Sequence, residues 1–249
     1  MTLDKIAIFG ATSAVAQELA RLLAGEGRSL ILVGRSSERL DAMKGDLLAR
    51  GAPNVVSATA DLADCSRHRE LVQMVTQAFP DIDSAVIAYG TLLDQEECAH
   101  SPELAVQELH TNFLSQASLL TVLADYFAHR RAGQIVAITS VAGDRGRRSN
   151  YVYGSAKGGT SLFVQGLRCR LHGTGVGVIT VKPGPIDTPM TAHLPKTHLF
   201  TTPELVAQSI HSAMKRGSSR VIYVPAYWRL LMAIIRAIPE SIYQRLPLP

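Results

Sequence analysis

A phenol and an ammonium stand four residues apart in Tyr153-Gly154-Ser155-Ala156-Lys157, which on a helix puts them on one face about one turn from each other. A free phenol titrates near pH ~10 and is a poor base at neutrality, but a neighbouring lysine charge favours the phenolate. In the opposite direction the same phenol donates its proton to the oxygen of a carbonyl whose carbon receives a hydride, so one residue serves both. Ser140 follows the apolar run Ile135 to Thr139 and should stand at a strand's carboxyl end, where its hydroxyl could hydrogen-bond the substrate oxygen. Asn112 falls inside a long helical stretch, an intrinsically unfavourable place for an amide, and could anchor a water that passes protons from Lys157. Plainer readings compete: Tyr-x-x-x-Lys recurs by chance on helices, and Ser140 could simply cap the next turn. Tyr151 has no lysine four residues on and is read as lining the pocket.

Gly10-Ala11-Thr12-Ser13-Ala14-Val15-Ala16 follows the first apolar run, where a dinucleotide-binding chain carries further glycines so that its backbone can approach a pyrophosphate. Ala14 and Ala16 stand there instead. Alanine still permits close helix–strand contact, and the free N–H groups of the helix start, with the Thr12 and Ser13 hydroxyls, can hold an anion. An ordinary strand–helix turn with a Ser/Thr cap accounts for the same residues. The second strand ends Leu32-Val33-Gly34-Arg35, where an acid would bind the ribose 2′-hydroxyl of NAD(H) and an arginine would accommodate the 2′-phosphate of NADP(H). The arginine favours NADP(H) as cofactor through charge and paired donors, the plainer reading being a solvated surface residue.

The elements that must position these groups alternate along the chain. Ile6 to Phe9, Leu30 to Val33, Val55 to Ala58, Ser84 to Ala88, Ile135 to Thr139, Val176 to Val181 and Val221 to Val224 are short apolar runs. Helical spacing separates them over Val15 to Leu23, Ser37 to Arg50, Arg67 to Ala78, Glu103 to Arg130, Tyr153 to Leu171 and Pro203 to Lys215. Strands apolar on both sides belong to a parallel sheet covered on both faces, so the expected class is α/β. A doubly wound seven-stranded parallel sheet with helices on both faces should bind its ligands at the strands' carboxyl ends. Thr201-Thr202-Pro203-Glu204 reads as a helix start.

With 249 residues, 47% of them hydrophobic and 18% charged, the chain can bury one substantial core, and no linker or repeat divides it. Cys65, Cys98 and Cys169 leave an odd thiol at no metal-ligand spacing, which suggests neither disulfides nor a metal and fits a reducing cytoplasm. His193 and His198 lack a third ligand at useful spacing. The first residues show no basic start, apolar stretch and cleavage pattern of a secretory signal, so a cytoplasmic location is expected. A net charge of +4 is spread along the chain rather than gathered into a stripe, so no nucleic-acid partner is expected.

The Gly10 turn, Asp61-Leu62, Ala88-Tyr89-Gly90, Asn112, Ser140, Tyr153/Lys157 and Pro183-Gly184-Pro185-Ile186-Asp187-Thr188 resemble, in content and order, the short-chain dehydrogenase/reductase family. The resemblance covers about residues 5 to 225 and implies a Rossmann domain binding NADP(H). It implies a catalytic tetrad of Asn112, Ser140, Tyr153 and Lys157, with Lys157 also on the nicotinamide ribose. It places Gly10, Thr12, Ser13, Ala14 and Val15 at the cofactor's phosphates, Asp61 and Leu62 at its adenine, and Ile186 and Thr188 at the nicotinamide amide, with Ala88, Gly90, Tyr153 and Pro183 completing the cradle. Two departures are the glycine-poor turn and Ala88, where the family usually has an asparagine bracing the sheet centre. Gly10-Ala11-Thr12-Ser13, Tyr153-Gly154-Ser155-Ala156-Lys157, Met190 to Leu194 and Ile238 to Tyr243 resemble a branch that serves cell-envelope lipid metabolism. Its members reduce a 2-keto sugar carried on a polyprenyl phosphate after a separate flavin oxidase has made the ketone. Another apolar ketone, fatty-acyl or steroid-like, or a non-catalytic NADP-binding scaffold are the alternatives. Family habit implies a homo-oligomer.

Past the last strand, residues 226–249 form an apolar and basic helical extension to the catalytic domain at 1–225. Arg229 and Arg236 would lie on one narrow stripe of a helix over Tyr227 to Ile238 whose remaining surface is almost wholly apolar. Such a face must be covered. It suits a helix lying in the headgroup region at the inner face of a membrane, over 226–246, and equally one buried on its own domain or a second subunit.

Overall fold

The structure is a computed structural model that describes residues 3–246; residues 1–2 of the expected domain and 247–249 of the expected extension lie outside the described residues. Each apolar run becomes a strand: β1 (Lys5–Phe9), β2 (Ser29–Gly34), β3 (Val55–Thr59), β4 (Ser84–Ile87), β5 (Gly133–Ile138), β6 (Val176–Pro183) and β7 (Arg220–Val224). All pair in parallel, in the order β3-β2-β1-β4-β5-β6-β7. Ile6 and Ile8 point to one face, where α1 (Ala14–Gly25), α2 (Ser37–Ala49) and α8 (Pro203–Lys215) cover them. Ala7 and Phe9 point to the other, under α3 (His68–Ala78), α6 (Ser115–Arg130) and α7 (Tyr151–Arg170). Period-two alternation with both faces buried explains why these strands read as unbroken apolar runs. The order reverses between β1 and β4, so their carboxyl ends flank the crevice where this architecture receives ligands.

One expected helix is not uniform. Glu103 to Arg130 divides into α5 (Pro102–Leu109), a π turn at His110–Leu114 and α6, all preceded by the short α4 (Gln95–His100). In the π turn the Ser115 N–H reaches back five residues to the His110 carbonyl, and the extra residue carries the Asn112 side chain off the regular helical register. β5 stops at Ile138, yet the Thr139 N–H still donates to Val181 at 2.8 Å. α7 starts two residues earlier than the spacing suggests, so Tyr151 opens it with 45% of its surface exposed.

The tail forms α9 (Trp228–Ala237) and α10 (Glu240–Tyr243). The apolar surface expected of α9 is divided between a buried side and an exposed one. Trp228 and Met232 are buried against Val141, whereas Tyr227, Leu230, Ile234 and Ile242 are exposed. The Arg145 guanidinium donates to the carbonyls of Ile235, Arg236 and Ile238 at 2.9, 3.1 and 2.6 Å. It also pairs with Glu240 at 2.8 Å and lies 3.9 Å over the Tyr243 ring. One cation thus satisfies the orphan carbonyls at the end of α9 and pins α10 beside it. Among the described residues no helix is long and apolar enough to cross a membrane.

Candidate active site

The first strand runs into Gly10, whose φ of +84° belongs to the left-handed region; a Cβ there would lie 2.6 Å from that of Tyr89. Only glycine lets the β1 and β4 ends approach so closely. Ser13 caps α1, its hydroxyl accepting from the Ala16 N–H at 3.4 Å. Ala14 is half-buried, while Val15 and Ala16 are buried against the sheet. The turn therefore keeps one obligatory glycine and presents a capped helix start. Beside it Arg35 is exposed and makes no ion pair among the described residues. Arg39, which sequence reasoning missed, donates to the Thr12 carbonyl at 3.0 Å from one turn further on. Its spacing of four from Arg35 was the available signal.

Asp61 is exposed, its carboxylate accepting from the Ala63 N–H at 3.0 Å, and Leu62 is buried. The Leu62 carbonyl is held 3.1 Å from Nε2 of His68, whose ring burial pushes below its ordinary value. Ala88 is half-buried against the core, and its N–H donates to Phe9 at 2.8 Å, so the sheet continues there without the asparagine brace. At the far side Pro183 ends β6, Gly184 donates to Val224 at 2.9 Å, and Ile186 bridges to Thr201. The Thr188 N–H donates to Thr191 Oγ1 at 3.2 Å, turning the chain into its short helical turn.

Between these halves the four predicted reacting residues come from three elements. Ser140 lies just past β5, 9% exposed, with its Oγ accepting from the Ala142 N–H at 3.1 Å. Tyr153 and Lys157 share one face of α7, the Lys157 Nζ 5.8 Å from the Tyr153 ring centre and 3.5 Å from the Ile138 carbonyl. Burial pushes the Tyr153 phenol up to about 12, against the pull of its hydrogen bond with Ser140, and the charge of Glu108 adds to the rise. Burial pushes the Lys157 ammonium down to about 8, opposed by Glu108. The phenol is held as an acid at neutral pH, with an ammonium beside it.

Asn112 is fully buried, and besides an Nδ2 bond to the Glu108 carbonyl at 3.3 Å its side chain is spent on one segment. Its Oδ1 accepts from the Thr91 N–H at 3.2 Å, and its Nδ2 donates to the Thr91 carbonyl and Oγ1, both at 3.1 Å. Its carbonyl accepts from Thr160 Oγ1 at 2.8 Å, tying the π turn to α7. Asn112 thus fixes the chain after β4, where a Cβ on Gly90 would fall 2.3 Å from Oδ1 and 3.4 Å from the Lys157 Nζ. The bare backbone at Gly90 is what lets the Asn112 amide pack against this segment. Glu108 and Thr91 were also missed; Glu108 stands four residues before Asn112, a helical spacing visible in the sequence.

Known proteins can be set beside this geometry. The family model for short chain dehydrogenases matches residues 4–199. An uncharacterized oxidoreductase of Mycobacterium tuberculosis is 37% identical over 242 residues, covering 97% of this chain and 96% of that protein. One of Streptomyces coelicolor is 34% identical over 240 residues, covering 96% and 94%. Among solved structures, a short chain dehydrogenase of Burkholderia cenocepacia in complex with NADP superposes with a TM-score of 0.82 over 100% of both chains at 20% identity. An alcohol dehydrogenase of Thermococcus sibiricus, complexed with 5-hydroxy-NADP, gives 0.78 over 99% of this chain and 100% of its own at 21% identity. At those identities the two structures bear on the fold.

Proposed function

The chain belongs to the short-chain dehydrogenase family, and from that premise we propose that it is an NADP(H)-dependent oxidoreductase interconverting a ketone and an alcohol. The observation that carries the reading is the convergence of Ser140, Tyr153 and Lys157 at the carboxyl end of β5, facing the crevice beside Gly90. The cradle fits the cofactor: a close approach at Gly10, a capped helix start at Ser13 and, at Arg35, an arginine without an ion pair among the described residues, with no acid at the end of β2 to repel a 2′-phosphate. Thr12, Ala14 and Val15 complete the phosphate side, Asp61 and Leu62 the adenine side, and Ala88, Pro183, Ile186 and Thr188 the nicotinamide side. When bound, NADPH supplies the hydride. Ser140 holds the carbonyl oxygen, Tyr153 donates its proton to that oxygen as the C–H bond forms, and the Lys157 ammonium stabilises the phenolate left behind. Asn112 keeps the Gly90 segment placed for this. Arg35→Glu should weaken NADPH binding by about 10²-fold with little change for NADH; equal weakening of both would remove Arg35 from the 2′-phosphate.

The substrate we propose is a 2-keto sugar on a polyprenyl phosphate, because the chain resembles the reductase subunit of decaprenylphosphoryl-β-D-ribose 2′-epimerase at Met190 to Leu194 and Ile238 to Tyr243. The tail supports it. Tyr227, Leu230, Ile234 and Ile242 expose apolar surface among Arg229, Arg236 and Arg245, next to the loop holding Leu199, whose carbonyl the Tyr227 hydroxyl meets at 3.4 Å. Such a face suits contact with anionic lipid at the inner side of the cytoplasmic membrane, or with a second copy of the chain, and a flavin oxidase would supply the ketone. In this reading 1–225 is the catalytic domain and 226–249 the part that meets lipid. A second reading, reduction of a fatty-acyl ketone, is favoured by the 27% identity over 254 residues to a ketoacyl reductase of Nostoc. NADPH oxidation with a membrane lipid extract separates the two. Turnover that requires pre-treatment of the extract with the flavin oxidase supports the keto-sugar; turnover on a ketoacyl thioester alone supports the second reading.

A further inference from the structure

Glu108 is used by neither the motif nor the proposed reaction. Its side chain is almost wholly enclosed, at 1% exposure. One oxygen, Oε2, accepts a hydrogen bond from Thr91 Oγ1 at 2.6 Å, and the other, Oε1, meets no partner among the described residues. Thr91 Oγ1 in turn accepts from Asn112 Nδ2 at 3.1 Å, so a single hydroxyl ties the carboxylate to the reacting centre. Lys157 is in the complementary condition: 4% exposed, without an ion pair among the described residues, and reaching only the Ile138 carbonyl at 3.5 Å. A buried carboxylate and a buried ammonium each lose hydration, and in a low-dielectric interior their attraction acts beyond contact distance and offsets part of that loss.

We propose that Glu108 is a positioning residue whose carboxylate is the counter-charge to the Lys157 ammonium, keeping it protonated beside Tyr153. The charge of Glu108 acts on Tyr153 and Lys157 of α7 and on Cys98 of α4, and Asp94 and Glu97 act on Cys98 in the same sense. His110 on the π turn is directed elsewhere, its Nε2 3.9 Å from Cys65 Sγ. Glu108 raises the proton affinity of both Tyr153 and Lys157, so removing its charge lowers both. The ammonium is then lost at a lower pH, while Tyr153 still holds its proton there.

The consequence for turnover rests on the proposed reductase chemistry, but the titration of Lys157 does not. In the full-length protein without cofactor or substrate, the lysine ε-carbon NMR signal of Lys157, assigned by its loss in Lys157→Met, reports the midpoint directly. Glu108→Gln should lower that midpoint by about one pH unit, and Glu108→Asp by about 0.3 unit. With substrate, the alkaline limb of kcat/KM should move down by the same amount while KM for NADPH stays within about twofold. An unmoved Lys157 midpoint in folded Glu108→Gln overturns the proposal even where activity falls, since a purely structural carboxylate would cost stability without moving it. Should the glutamine variant fail to fold, the aspartate variant decides, and an unmoved midpoint there overturns it equally.

Discussion

The reacting centre and the C-terminal tail invert the usual distribution of side chains. At the centre, polar groups are inside: Asn112, Glu108, Lys157 and Ser140 are all at or below 9% exposure. In the tail, apolar groups are outside: Leu230 is 69% exposed and Ile234 56%. Both arrangements cost free energy in isolation, the first through desolvation and the second through apolar surface left in water. The centre recovers its cost internally, by the Thr91–Asn112–Glu108 hydrogen bonds and by the Ser140–Tyr153 contact. The tail leaves one face of α9 without a partner among the described residues, with its apolar side chains exposed.

Substitutions in the two regions should therefore fail differently. Lys157→Met should lower kcat by about 10³-fold while leaving the fold intact, since a buried ammonium is replaced by an apolar chain of similar length. A drop under tenfold would detach the centre's polarity from chemistry. The pH profile sharpens the same point: activity in the reductive direction should fall about tenfold per pH unit as pH rises through about 8, where Lys157 gives up its proton, while Tyr153, pushed up to about 12, remains a phenol. A falling limb only above pH ~10 would place Lys157 at the ordinary lysine value. On the buried side of the tail, Trp228→Ala should cost about 3 kcal/mol in urea unfolding, because the indole fills the space over Gly184 and Val141. On its exposed side, Leu230→Glu with Ile234→Glu should change stability by less than about 0.5 kcal/mol yet abolish co-sedimentation with anionic liposomes. Equal pelleting of that variant and the parent would assign the face to a second copy of the chain, to be read by its sedimentation velocity.

The same contrast explains what the sequence disclosed. The strands were legible because burial on both faces leaves continuous apolar runs, and Tyr153 with Lys157 because a helix fixes residues four apart on one face. The π turn at His110–Leu114 was hidden, since its extra residue changes register without changing composition. Glu108 was hidden too: a charged residue in a helical stretch reads as a solvated face, and only α4 and α7 closing over it make it buried. The tail's pattern showed an apolar helix but could not divide it, because Trp228 and Met232 differ from Leu230 and Ile234 in what lies opposite rather than in type.

The central claim is that the Tyr153 hydroxyl delivers the proton while a carbonyl carbon takes the hydride. Tyr153→Phe removes one oxygen from a half-buried ring and leaves the cradle at Gly10 and Arg35 untouched. With NADPH affinity and kcat measured on the same preparation, affinity should stay within about threefold and kcat should fall by about 10³-fold. A phenylalanine enzyme turning over within tenfold of the parent, with cofactor bound equally well, would contradict the assignment of the proton to Tyr153.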